Sequence, residues 1–136
     1  MDIISELKAI RHKRHMKQIK PFVELSADSF YGNGFQLELR NPEYGKKYIT
    51  VGHHCVLDGI YIFESQSGHI SIGDRVHIGA SMFITREEIT IDNDVTIAWD
   101  CLFYDHNSHS TKWSERKNDT EQEYKVIIDG LKPIAN

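Results

Sequence analysis

The chain has 136 residues, 40% of them apolar and 26% charged, which is enough for one domain with a real core and too short for two comfortable ones. Sixteen Lys and Arg against 20 Asp and Glu leave a net charge of −4, a poor match to nucleic acid, whose binding needs a basic face. There is no apolar run near the ~18 residues of a membrane span, no secretory signal and no lipidation motif. Cys55 and Cys101 make neither a disulfide framework nor a Cys-rich zinc site, so a cytoplasmic setting is predicted.

Residues 1–22 read as a basic leader. Lys8, Arg11, Lys13, Arg14, Lys17 and Lys20 stand against Asp2 and Glu6, so residues 1–20 carry +4 and the remainder −8. Ile3, Leu7 and Ile10 fall at helical spacing, and Pro21 ends the short amphipathic helix they predict. Its basic run is a solvated face, or a weak peripheral contact with an anionic membrane surface or an acidic acceptor. Residues 23–48 look extended and turn-rich. Tyr31-Gly32-Asn33-Gly34 marks one turn, Phe35, Leu37 and Leu39 alternate after it, and Asn41-Pro42 and Gly45 mark another.

The middle of the chain is a repeat. Val51, Leu57 and Phe63 are six residues apart, as are Ile72, Ile78 and Ile84, and Ile91, Ile97 and Phe103. Steps of nine and of seven separate the triplets. Two residues upstream of these anchors stand Ile49, Cys55 and Tyr61, then Ile70, Val76 and Met82, then Ile89, Val95 and Cys101. All 18 positions are apolar, where composition alone gives about seven. Small or turn-forming residues such as Gly52, Asp58, Gly73, Gly79 and Asp92 follow many of the anchors and permit a tight bend. A hexad with paired apolar positions two apart is one short strand and one turn. Three hexads close a triangle, and successive triangles stack at about 4.8 Å through parallel pairing. An α-helix is excluded, because a period of six scatters the anchors around its axis. Cys55 and Cys101 both read as core.

The stretches Ile70-Ser-Ile-Gly-Asp-Arg-Val-His-Ile-Gly79 and Ile89-Thr-Ile-Asp-Asn-Asp-Val-Thr-Ile-Ala98 resemble the hexapeptide-repeat acyltransferases. The resemblance implies an all-β fold: a left-handed parallel β-helix over residues 23–110, with regular coils at 49–106, a short N-terminal helix, and a loop or tail at 111–136. Cys101-Leu-Phe-Tyr-Asp-His-Asn-Ser-His-Ser110 is similar to the loop that leaves the helix in sugar and polysaccharide O-acetyltransferases of the maltose/galactoside type. There the histidine just after the last anchor is the catalytic base, which corresponds to His106. The implied activity is acetyl transfer from acetyl-CoA to a saccharide hydroxyl by a homotrimer with sites between subunits. A neutral histidine suits that step, since it accepts the hydroxyl proton near pH 7 and returns it to the leaving thiolate. A partner must fix its tautomer. Asp105 is adjacent but points the other way along a strand, so a backbone carbonyl or another subunit's group is at least as good a candidate.

Acceptor contacts are expected from His109, Asp105, Trp99 and Tyr104. Trp99 and Tyr104 serve equally well as interface packing. Phe83, Trp99 and Leu102 are read as outward residues for trimer contacts. Some β-helices of this kind resemble carbonic anhydrases with zinc held by three histidines. His53, His54, His69, His77, His106 and His109 lack the paired spacing of that group, so no metal is expected. The resemblance also implies later coils that carry much of the acetyl-CoA site. Residues 111–136 contain no further hexads, and only Val126, Ile127 and Ile128 form an apolar run. The exposed end of the solenoid must be capped by this segment, covered by another chain, or continued in a longer protein of which this is the front part. In the last case the chain serves as a catalytically incomplete structural or interaction module.

Overall fold

The computed structural model describes residues 2–131. They fall into two units, one ending at His106 and one beginning at Asn107.

The first unit opens with helix α1 (Ile3–Ile19). The Asp2 carboxylate caps it by accepting the Ser5 N–H at 2.6 Å. The helix stops short of Pro21, and a 3-10 turn over Lys20–Phe22 turns the chain into the first strand. Ile19 and Phe22 are buried, and Met16 packs beside them on the core.

Twelve short strands follow in four rungs. The first rung is β1 (Val23–Leu25), β2 (Phe30–Tyr31) and β3 (Gln36–Leu39). The next is β4 (Ile49–Val51), β5 (Val56–Leu57) and β6 (Ile60–Phe63). Then come β7 (His69–Ile72), β8 (His77–Ile78) and β9 (Met82–Thr85), and finally β10 (Glu88–Ile91), β11 (Thr96–Ile97) and β12 (Leu102–Tyr104). They form three parallel sheets, which we call faces A (β1-β4-β7-β10), B (β2-β5-β8-β11) and C (β3-β6-β9-β12). This is a parallel β-solenoid, as the hexads predict. The three regular coils are its second to fourth rungs, and the turn-rich stretch before them supplies one more.

Each face sends a column of apolar side chains inward. Ile49 and Ile70 stack on face A and Leu57 and Ile78 on face B, all fully buried. Face C carries an aromatic column. The Tyr61 and Phe83 rings stack at 4.8 Å and 4°, and Phe83 and Phe103 at 4.7 Å and 6°. Those separations are the rung spacing of a parallel sheet, so the rings follow the backbone ladder.

Face C also corrects the sequence reading. Met82 and Ile84 are only half-buried, while Phe83 and Thr85 are fully buried. Phe83 is therefore core and not an outward residue for subunit contacts. Tyr61 pairs with Phe83 and Phe83 with Phe103. From the second rung to the fourth the B–C corner lengthens by one residue at a time: Leu57 to Tyr61 is four positions, Ile78 to Phe83 five and Ile97 to Phe103 six. An extra corner residue shifts the strand phase by one and exchanges its two faces. Cys55 is buried as expected, but Cys101 is half-buried and lies outside the core cluster.

The corners are set by backbone contacts. At the A–B corner His54, Arg75 and Asp94 stand one above another in the left-handed region, with φ of 57°, 56° and 59°. At the B–C corner Gly59 has φ +94°, and a Cβ there would run into the Ser81 carbonyl oxygen.

The second unit differs from the expected loop or tail. It contains helices α2 (Trp113–Arg116) and α3 (Asp119–Leu131), and residues 132–136 lie outside the described residues. Asp119 and Glu121 sit in the first turn of α3, and Glu121 reaches Lys125 at 3.9 Å one turn later. The contiguous run Val126-Ile127-Ile128 hid this helix, because it does not display a helical period. Among the described residues no helix is long and apolar enough to cross a membrane.

Candidate functional site

Parallel stacking at the end of face C creates a column of charge. Leu39 pairs with Phe63 and Phe63 with Thr85. The next residue of each rung is therefore Arg40, Glu64 and Arg86, and His106 completes the series two residues beyond the last strand. Backbone bonds carry the ladder past the strand ends: Arg40 N–H donates to the Phe63 carbonyl at 3.1 Å, and Glu64 N–H to Thr85 at 3.0 Å.

The side chains of this column converge on Glu64. Arg40 Nη1 lies 2.6 Å from Glu64 Oε1, and Arg86 Nε lies 3.3 Å from Oε2. His106 Nε2 lies 3.1 Å from the same Oε2, and the Glu64 and His106 side chains are each only 12% exposed. Both guanidiniums are about half exposed, at 52% and 51%. The site is thus a shielded carboxylate–imidazole pair with a cation on either side. The Tyr104 ring leans against the imidazole, with centroids 4.4 Å apart and planes tilted by 41°. A carboxylate against an imidazole stabilises the imidazolium, and shielding from water strengthens the attraction. That is the requirement for a base that must hold a proton briefly.

Asp105 is engaged in the fold. Its carboxylate accepts a hydrogen bond from the Thr85 hydroxyl, from Arg86 N–H at 2.9 Å and from Glu87 N–H at 3.0 Å. Burial opposes its charge, but these three donors, with the nearby His106, together outweigh that and hold its carboxyl below the ordinary value. Asp105 thereby ties the segment carrying His106 to the rung beneath it.

The other sequence-predicted residues lie as follows. Tyr104 is 41% exposed beside His106. Trp99 is 78% exposed at the B–C corner, above Gly79, where an added Cβ would sit 3.0 Å from its ring. Leu102 is also exposed. His109 belongs to the second unit, where its Nδ1 lies 2.7 Å from Asp119 Oδ2 and its Nε2 3.9 Å from Glu123 Oε1. Among the described residues no group of three or more His, Cys, Asp or Glu is arranged to hold a metal ion.

Glu64, Arg40 and Arg86 were not anticipated. Glu64, Thr85 and Tyr104 each directly follow a hexad anchor (Phe63, Ile84 and Phe103), a position that the register reserves for a bend. With the corrected phase, Arg40, Glu64, Arg86 and His106 align in one column. The signal lay in the corner lengths, which periodicity does not report.

No family model, curated protein or solved structure matches this chain. The functional reading therefore rests on the repeat and on the geometry around His106.

Proposed function

We propose that this chain is an acetyl-CoA-dependent O-acetyltransferase of the hexapeptide-repeat kind, acting on a saccharide hydroxyl with His106 as general base. The observation that carries the reading is the 3.1 Å approach of His106 Nε2 to Glu64, with both side chains shielded at the end of the last rung. The residue that the loop resemblance singles out is the one histidine of the solenoid set against a carboxylate in a shielded position.

Acetyl-CoA supplies the activated acyl group. His106 takes the proton of the acceptor hydroxyl as its oxygen attacks, and returns that proton to the departing sulfur. Glu64 stabilises the imidazolium between the two transfers. Tyr104 restricts the ring's orientation. Arg40 and Arg86 hold the Glu64 carboxylate in place, so it is oriented before substrate arrives. The exposed Trp99 and Leu102 suit a subunit interface, consistent with a homotrimer. The cytoplasm is the setting in which such an enzyme would find its acyl donor.

The test is acetyl-CoA binding by calorimetry on the purified chain, together with acetyl transfer to saccharide acceptors. Binding in the millimolar range or tighter, with transfer lost in His106→Ala, supports the enzyme. Undetectable binding at millimolar ligand assigns the chain to the alternative of a β-helical structural or interaction module.

A further inference from the structure

Helix α1 presents two different sides. His15, Met16 and Ile19 turn toward the first rung, where Met16 and Ile19 pack on the core and His15 Nε2 accepts the Leu37 N–H at 3.2 Å. Ile3, Leu7 and Ile10 lie on the opposite side of the helix and are 75%, 60% and 58% exposed. Beside the packed side, the helix and β3 enclose a concavity of about 560 Å³. Lys8, Arg11, His12, Arg14, His15 and Gln36 line it.

The lining consists of donors without counter-charge. No carboxylate lines the concavity. Among the described residues, Lys8, Arg11, His12 and Arg14 make no side-chain ion pair or hydrogen bond. With Nε2 of His15 occupied as an acceptor, its neutral ring carries the proton on Nδ1 and is a donor there. Burial, and then the neighbouring His12, hold the His15 pKa below its ordinary value, which favours that neutral form. Three fixed cations, with the imidazoles of His12 and His15 and the amides of Gln18 and Gln36, surround one hollow, raise the local potential and call for an acceptor-rich anion. A carboxylate offers one charge to three cations, whereas a phosphate or diphosphate offers two or more. The −8 carried by the chain beyond residue 20 opposes a long polyanion lying across the molecule and favours a small group seated in the hollow.

We propose that the concavity between α1 and β3 is a binding site for a phosphate or diphosphate group, held by Lys8, Arg11 and Arg14 with Gln36 as a neutral donor. The source is a soluble phosphorylated compound or the headgroup of an anionic lipid, whose chains would meet the exposed Ile3, Leu7 and Ile10. The site does not depend on acetyl transfer.

The experiment uses the full chain at ~0.1 M salt. Inorganic pyrophosphate is titrated by calorimetry and by amide chemical shifts. In parallel, vesicles of phosphatidylcholine with and without phosphatidic acid are tested by co-sedimentation. Lys8→Glu, Arg11→Glu and Lys13→Glu are compared, with far-UV circular dichroism and melting checking the fold. Lys13 sits on the same helix but does not line the hollow. Pyrophosphate binding that shifts the Lys8, Arg11 and Gln36 amides, and weakens at least about tenfold in Lys8→Glu and Arg11→Glu but less than about twofold in Lys13→Glu, supports a soluble ligand. Binding only to phosphatidic acid vesicles, with the same ranking of variants, supports the lipid source. The proposal is overturned if neither probe binds, or if Lys13→Glu weakens binding as much as Arg11→Glu, which would show a diffuse basic helix and no site.

Discussion

Two columns of charged residues climb the solenoid, one at the A–B corner and one at the end of face C. At the A–B corner, Arg75 reaches Asp94 at 2.6 Å, with the two side chains 53% and 65% exposed. Below it, His53 and His54 lie 3.2 and 3.3 Å from Asp28, and both imidazoles are about 70% exposed. At the end of face C, Arg40, Arg86 and His106 converge on Glu64, and the His106–Glu64 pair is 12% exposed on each side. In-register parallel stacking builds both columns, because it sets like positions of successive rungs in contact. Their separations are alike, but their surroundings differ. In water an ion pair of this length is worth little, and histidines beside it are a solvated face. Where Tyr104 and two guanidiniums limit access of water, the same pair gains strength and direction. Shielding, more than the presence of a His–carboxylate pair, makes the end of face C the candidate site.

The largest expected effect separates the two columns directly. His106→Ala lowers the acetyl-transfer rate by about 10²–10⁴-fold, the usual worth of a general base. His53→Ala and His54→Ala leave it within about twofold. Steady-state rates at saturating acetyl-CoA decide this, and equal losses at both places would erase the distinction. Glu64→Gln comes next. It keeps the shape of the side chain but removes the charge that stabilises the imidazolium, so kcat falls about tenfold with little change in KM for acetyl-CoA. A change confined to KM would instead assign Glu64 to binding.

Much of this architecture was legible in the chain. Ile49, Leu57, Ile70 and Ile78 are apolar at hexad spacing and stand in the core as the period requires. Face C was misread at Met82 and Ile84 because two neighbouring residues, Phe83 and Ile84, are both apolar and either could be the anchor. The corner length decides between them, and it is fixed by three-dimensional closure around Gly59 and Ser81. The first rung was read only as extended and turn-rich, although Leu25, Tyr31 and Leu37 stand six apart: Ser29 is polar at an inward position, and 14 residues separate Leu37 from Val51, so the triplet does not join the series. His106 was singled out by its loop as the candidate base. Its carboxylate neighbour was not, because Glu64 is 42 residues away in sequence and two rungs away in space. The helix over Asp119–Leu131 was missed because its apolar residues are contiguous and few.

A smaller effect tests how the site's segment is held. Asp105→Ala leaves the buried Thr85 hydroxyl without its acceptor, while the exposed Arg86 and Glu87 amides can turn to water. The expected cost is about 1–2 kcal/mol in denaturant unfolding. Because the Asp105 carboxyl lies below its ordinary 3.8, its contribution is present above that value and is lost as pH falls through its folded pKa. Wild type should therefore lose stability below about pH 4 more steeply than Asp105→Ala does. Parallel acid profiles would show that the bracket carries no charge-dependent strength.

The smallest effect belongs to the exposed column. Arg75→Ala removes the guanidinium from Asp94 but keeps a Cβ at φ 56°. Loss of a solvated pair should move Tm by no more than about 1–2 °C, and that shift should shrink in ~1 M salt. Arg75→Gly loses the same pair but releases the left-handed backbone from its side-chain clash. It should melt about 2–4 °C above Arg75→Ala, and that gap should persist in high salt. The two variants thus separate the charge of the column from the backbone geometry of the corner. If Arg75→Ala instead cost as much as Asp105→Ala, the pair at the A–B corner would be as well shielded as the one at His106. Exposure would then no longer be a reason to propose only one of the two columns as a site.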